Sequence, residues 1–456
     1  MNPVAQLVRS GARLVSVFGS RGPDGAVQVH YLLDNGQPDY LSFEFPVVGP
    51  VPALTPIVPA AAWHERELHE TYGVPLVGHP DLRPLVDHAH QVLLEVAGEG
   101  VCEVAVGPVH AGIIEPGHFR FSVMGDAVLR LELQHCYTHK GTEALMEGRE
   151  PADALRLAES ISGDNCFAHA LAFSQAVEAA GGLEAPARAQ TLRLVGLELE
   201  RLMAHAADFG ALCGDVGFPL PATFTARLKE SLLQASRAAL GTRYWRGLCR
   251  IGGMARDLGA AEARTLRQAV EAAAVELAAL AEAVFDTPSV MQRFQTTGVL
   301  PPADARALGV VGPAARASGL ALDVRRDHPS GAYRSLDFKV ETLEDGDVLA
   351  RARLRILEAA ASARLIAAAL DALPNSAVCV PAPAPLAGDG LAAVESPRGE
   401  LVYWLRLEAG HIRRCHIRSP SFQNWPALPR SMPGNIIADF PLINKSFNLS
   451  YSGCDR

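Results

Sequence analysis

No two of the eight cysteines in this chain are separated by two residues, so the C-x-x-C spacing of zinc and iron–sulfur sites is absent. Thiols this dispersed read as small buried hydrophobes in a reducing compartment. Long apolar runs are missing as well. The alanine-rich stretches are interrupted by Glu, Arg or Asp before about twenty residues accumulate, which excludes a membrane-spanning helix. The opening segment, residues 1–9, has no apolar h-region, so no secretory leader is expected. There is no excess of basic charge: the formal net charge of −9 speaks against a nucleic-acid partner. No G-x-x-x-x-G-K-[ST] loop occurs, and Gly210, Gly214 and Gly217 follow a helical stretch instead of a strand. Nucleotide binding by this chain therefore has no support.

What is present suffices for two or three domains in 456 residues. Between residues 12 and 47, short β-prone runs (14–18, 27–33 and 41–45) are separated by Gly, Pro and Asn, the pattern of a small antiparallel meander. A helix-compatible segment covers 60–72, and 84–100 reads as a connector. From residue 150 the chain changes to long Ala/Leu-rich stretches at 152–181, 186–212, 223–240, 259–286 and 347–373, each long enough for a bundle helix. Residues 381–390 read as a Pro/Ala loop and 391–418 as a further strand pair. The expectation is an α+β protein: a small α+β domain at 1–95, then a large, mainly helical domain at 96–456.

Several local patterns invite metal chemistry. His64 and His69 lie five apart, whereas two histidines on one helix face need a spacing of four, so the zinc-protease reading fails. His135 and His139 have that spacing, but no carboxylate or thiol pattern completes a site. Glu198, Arg201, His205 and Asp208 fall at i, i+3, i+7 and i+10 and form one polar stripe on a helix. Periodicity leaves open whether that stripe is a solvated face with local ion pairs or a polar network inside a bundle.

Denser motifs carry a family resemblance. Trp63-His64-Glu65-Arg66-Glu67, followed by Tyr72-Gly73-Val74-Pro75 and His79-Pro80-Asp81-Leu82-Arg83, resembles the signature of the 30-kDa subunit of respiratory complex I. Gly107-Pro108-Val109-His110 through Glu115-Pro116-Gly117-His118-Phe119-Arg120-Phe121 resembles the opening of the large subunit of energy-converting, formate hydrogenlyase-type hydrogenases. A shorter counterpart opens the complex I 49-kDa subunit. Tyr137-Thr138-His139-Lys140-Gly141-Thr142-Glu143, Glu198-Leu199-Glu200-Arg201-Leu202, Arg250-Ile251-Gly252-Gly253, Gly312-Pro313, Glu395-Ser396-Pro397-Arg398-Gly399-Glu400 and Ile417-Arg418-Ser419-Pro420 continue the match in order. The resemblance covers nearly all of 60–456 and implies a fusion of the two subunits.

The departures from that family define the functional expectation. The nickel–iron large subunit carries two C-x-x-C pairs; the matching positions here are Ser162 and Asn165, then Ser450 and Gly453. Soft thiolates hold nickel and iron, and these four residues cannot replace them, so no metal is expected on this chain. Cys166 and Cys454 each sit one place beyond a vacated position. A chain ending at Arg456 would also leave no extension for the protease that trims metallated hydrogenases. In complex I the emptied cavity is the head of a quinone site. Its two motif histidines match His110 and His118, the second being the headgroup ligand, while its tyrosine partner aligns at about Gly163. The resemblance therefore implies a cavity with Glu115, His118, Asp164 and Asp439 as candidate proton-handling groups. His110, His118 and Arg398 form a candidate quinone pocket. It further implies a small partner subunit with a [4Fe–4S] cluster, antiporter-like membrane subunits, and a peripheral place on the cytoplasmic side of the inner membrane without direct insertion. Any NAD binding would belong to the complex. The implied role is coupling of electron transfer to quinone or another acceptor with ion movement. Its rivals are a true hydrogenase or formate hydrogenlyase subunit and a structural coupling subunit without redox chemistry.

Overall fold

The computed structural model describes residues 3–90, 92–110, 114–383 and 385–456. Within the stretches singled out above, Met1, Asn2, Gln91, Ala111, Gly112, Ile113 and Ala384 lie outside the described residues.

The first sheet is the expected meander. Strands β1 (Arg13–Arg21), β2 (Val27–Asp34) and β3 (Leu41–Pro46) run antiparallel in that order. Helix α1 (Ala62–Tyr72) crosses β1, where Gly19 lets the Tyr72 ring lie against the strand backbone. The Glu65 carboxylate accepts the Leu54 and Thr55 amides at 2.6 and 3.0 Å, tying α1 to the preceding loop. Residues of β1 and β2 are buried without alternation because both faces of the sheet are covered. Val17, Val29, Tyr31 and Leu33 pack with α1. Val15, Phe18 and Leu32 meet Ala393, Val402 and Trp404 of a later sheet.

A second meander follows: β4 (Val101–Val106), β5 (His118–Met124) and β6 (Ala127–Gln134). The stretch 152–181 is two helices, α2 (Pro151–Ser160) and α3 (Cys166–Ala180), broken at Ile161-Ser162-Gly163-Asp164-Asn165, where Gly, Asp and Asn disfavour helix. Helix α4 (Ala187–Asp215) is the central rod, packed by α5 (Pro219–Leu240) and α7 (Val348–Asp371), with α6 (Ala260–Phe285) behind them.

The expected strand pair at 391–418 is a three-stranded antiparallel sheet: β7 (Gly388–Ser396), β8 (Gly399–Glu408) and β9 (His411–Arg418). Strand β7 is poor in β-branched residues because it lies under α3. A Cβ at Gly390 would stand 1.9 Å from the Ala176 carbonyl oxygen. Small side chains there admit the helix backbone. The chain closes with α8 (Phe440–Phe447) and the single-turn α9 (Tyr451–Cys454), which return to the middle of the molecule.

The polar stripe of α4 is a buried network. Glu198, Arg201 and His205 have no accessible surface. Arg325 Nη1 and Arg201 Nε both stand 3.2 Å from Glu198, which also accepts Tyr333 and Ser362 hydroxyls. His205 stands 2.9 Å from Glu358, which accepts Arg316 Nε at 2.7 Å. Asp208 accepts Arg355 and the Asn448 amide. The solvated-face reading is excluded, because the charges on α4 are matched by charges on α7, β7 and the 323–325 turn. Among the described residues no helix is long and apolar enough to cross a membrane.

Candidate functional site

A pocket of about 670 Å³ opens where five parts of the chain converge, one of them the end of α4 at Asp215. The loop between β4 and β5 contributes His110 and Glu115, and the break between α2 and α3 contributes Ser162, Gly163 and Asp164. The β7–β8 hairpin turn contributes Arg398. The C-terminal helices add Phe440, Asn444, Lys445, Ser450, Tyr451 and Ser452. The hairpin is set by close backbone approach: a Cβ on Gly312 would stand 2.2 Å from the Arg398 carbonyl, and one on Gly399 would stand 2.7 Å from the Gly312 amide. Both glycines have positive φ, 70° and 125°, which a side chain would disfavour. Two motifs far apart in sequence thus exist as a pair, and together they aim Arg398 into the pocket.

The two vacated metal segments meet here. Ser162 Oγ and Ser450 Oγ are 3.1 Å apart, and Ser162 donates to Asp164 Oδ1 at 2.9 Å. Ser450 Oγ in turn accepts the Gly453 amide at 2.8 Å, capping α9. Asn165 is buried at the start of α3. Where a nickel–iron cage needs four soft anionic donors, this chain offers two mutually bonded hydroxyls, an amide and a glycine. The donor set does not fit that metal pair.

A charge pair replaces it. Arg398 holds Asp164 through both terminal nitrogens, Nη1 at 3.2 Å and Nη2 at 2.5 Å, and its Nε donates to the Asn448 carbonyl. The Asp164 side chain leaves 49% of its surface open, whereas Arg398 leaves 7%. Desolvation opposes ionisation of Asp164, but the Arg398 charge and the Ser162 hydroxyl outweigh it and hold the carboxyl below the usual range. Glu115 behaves in the opposite way. Burial raises its pKa against the pull of Lys140 and Ser452, and its Oε2 is buried with no partner among the described residues. Burial lowers the Lys140 pKa, with Glu115 and Asp455 opposing. Its ammonium donates to Ser452 Oγ at 2.6 Å and to the Ile161 carbonyl at 3.0 Å. One side of the pocket therefore carries a fixed ion pair, and the other a protonatable acid beside an amine.

The structure brings Glu115, Asp164, Arg398 and His110 to one cavity, with Ser162 and Ser450 between them. His110 Nε2 stands 2.9 Å from the Gly117 carbonyl oxygen. His118 is placed differently. It begins β5, is 9% exposed, directs Nδ1 to the Gly107 carbonyl at 3.3 Å and is not among the lining residues. Asp439 also stands outside the lining: its carboxylate pairs with Arg293 Nη2 at 2.8 Å, and the pocket wall begins at the next residue, Phe440. Lys140 and Lys445 are not singled out by the sequence as site residues. Lys140 sits inside a family motif, but only the fold shows its amine reaching Ser452.

The family model of the respiratory-chain NADH dehydrogenase 49 kDa subunit matches residues 215–385 and 381–456, and that of the 30 kDa subunit matches residues 2–92. The chain is 32% identical to formate hydrogenlyase subunit 5 of Escherichia coli, over 98% of this chain and 85% of that protein. It is 29% identical to NADH-quinone oxidoreductase subunit 4 of Thermus thermophilus, over 78% of this chain and 94% of that protein. A chain from the solved membrane-bound sulfane sulfur reductase, an archaeal respiratory membrane complex, superposes with a TM-score of 0.74 at 27% identity. That match covers 79% of this chain and all of the other. The chain belongs to the 49 kDa-subunit family of the respiratory-chain NADH dehydrogenase, carries a 30 kDa-subunit segment fused before it, and has as relatives the subunits of membrane-bound respiratory and energy-converting complexes.

Proposed function

We propose that this chain is the acceptor-reducing subunit of a membrane-associated oxidoreductase complex, and that the pocket at the vacated ligand positions is where the acceptor is reduced. Electrons arrive from a [4Fe–4S] cluster in a small partner subunit, and the chain, docked on the cytoplasmic face of antiporter-like membrane subunits, couples the reaction to ion movement. The acceptor is a quinone or another small polar oxidant. A quinone takes two electrons from the cluster and two protons from the protein to leave as the hydroquinone. Glu115 is suited to give one proton, because burial keeps it protonated more readily than an ordinary carboxyl. His110 and the Asp164–Arg398 pair are suited to orient a carbonyl oxygen.

The observation that carries this reading is the replacement of the metal cage by a bonded serine pair beside an open pocket with a raised-pKa acid. A subunit retained only for structural coupling needs neither the space nor Glu115 Oε2 left buried without a partner among the described residues. The test uses the purified complex with its cluster reduced, following quinone-dependent reoxidation. Glu115→Gln is expected to slow it at least about tenfold and to move its pH profile. His118→Ala is expected to have a smaller effect, since His118 lies behind the lining. Reoxidation unchanged by Glu115→Gln, Asp164→Asn and His118→Ala favours the structural role. Stoichiometric nickel in the purified complex overturns the proposal in favour of a hydrogenase.

A further inference from the structure

Two thiols from distant parts of the chain stand together behind the pocket wall. Cys136 follows β6, and Cys454 ends α9. Their sulfurs and a carboxylate oxygen of Asp455 all lie within 4.8 Å of one another. Both thiols are buried, with 8% and 2% exposure. The arrangement is built. The Asp455 carboxylate accepts the Cys136 amide at 2.7 Å, the Thr138 amide at 3.1 Å and the Thr138 hydroxyl at 2.8 Å. That clamp holds Cys136 at φ +66°, a left-handed conformation unusual for a residue with a side chain.

Such a set could in principle take a soft divalent cation or close as a disulfide. A cation needs two buried thiolates and a carboxylate with free lone pairs, and Asp455 already serves three donors. A disulfide needs one thiolate, and that only transiently as the attacking nucleophile; its product is uncharged, and the two sulfurs, within 4.8 Å of each other, need only close to bonding distance.

We propose that Cys136 and Cys454 are a dithiol switch that closes to a disulfide by exchange with a low-molecular-weight disulfide of the glutathione class. One cysteine thiolate attacks the small disulfide, forming a mixed disulfide and releasing one small thiolate. The second cysteine then displaces the other small thiolate and completes the protein bond. The protein loses two electrons and two protons, and the oxidant leaves as two thiols. Closure ties the last helix to the strand behind it. Ser450, Tyr451 and Ser452, which line the pocket, belong to that same terminal segment, so the oxidation state sets how far this wall can move.

The full chain would be equilibrated with reduced and oxidised glutathione over a range of ratios, acid-quenched, alkylated and digested for mass spectrometry. The expected result at the oxidising end is a Cys136–Cys454 cross-linked peptide pair that dithiothreitol reverses. It should be accompanied by a Tm at least about 4 °C higher than that of the reduced protein, a rise that Cys136→Ser abolishes. If that variant does not fold, Cys454→Ala serves in its place, and the wild-type cross-link decides without either. The exposed thiols Cys102 and Cys379 report that the oxidant is active. The proposal is overturned if Cys136 and Cys454 remain alkylated while those two are glutathionylated, or if each carries glutathione without linking. It is also overturned if one equivalent of zinc shields both from alkylation and no cross-link forms.

Discussion

Glu198→Ala separates the two readings that periodicity left open for the α4 stripe. The Glu198 side chain is fully buried and accepts from Arg201, Arg325, Tyr333 and Ser362. Burial opposes its charge, yet the two guanidinium groups win and lower its pKa to about 2. Removing one member of a fully buried ion pair costs about 3–5 kcal/mol. Arg325 keeps Asp323 at 2.6 Å, and Arg201 keeps the backbone carbonyls of Glu395 and Ser396. The lower end, about 3 kcal/mol, is therefore expected. Urea unfolding of the full chain followed by circular dichroism measures it, and a double-mutant cycle with Arg325→Met should return a coupling of about 2 kcal/mol. The pH dependence has a definite sign. Because the folded pKa is depressed, the contribution is complete above the unfolded value of about 4.3 and is lost as pH falls toward 2. The gap between wild type and variant is then flat from pH 6 to 8 and narrows below about pH 4. A loss of only about 0.5 kcal/mol at pH 7, the worth of a solvated i,i+3 pair, would refute the buried-network reading.

Three further outcomes follow from the same geometry. Gly399→Ala, which drives a Cβ into the Gly312 backbone at φ 125°, is expected to cost about 2–3 kcal/mol by thermal melt and to weaken acceptor turnover by displacing Arg398. Gly163→Tyr should fold within about 0.5 kcal/mol of wild type, because a Cβ there meets nothing within 4 Å. If the acceptor is a quinone, its KM should fall in that variant. His328 is stacked on Tyr40, 3.4 Å from Asp34 and 2.9 Å from the Pro38 carbonyl. Burial works against its charge, but these two acceptors raise its pKa. Its stabilisation is therefore full below the unfolded value of about 6.5 and fades as pH rises through the folded one. A His328→Gln variant should flatten the stability decline above pH 6.5, and an unchanged slope would remove His328 from the contact between the first sheet and the rest of the chain.

Much of the architecture is a local matter and is legible in order along the chain. The β-prone runs of 12–47 are β1 to β3, and the apolar spacing of 186–212 is α4, because strand and helix periods are written in neighbouring residues. The loss of the thiolate ligands is likewise visible, since it depends on residue type alone. Strand β7 is not legible at its full length, because its composition answers to α3 pressing on it and not to strand propensity.

The order of elements, the absence of soft ligands at Ser162, Asn165, Ser450 and Gly453, and the candidate residues around them follow from residue identity along the chain. It took the folded arrangement to bring Ser162 to Ser450, to close Arg398 on Asp164, to turn Asp439 to Arg293 and to bury the α4 stripe. Those outcomes depend on which surfaces separate segments bring together. Burial and electrostatic environment belong to that assembly, and no spacing along a single segment encodes them.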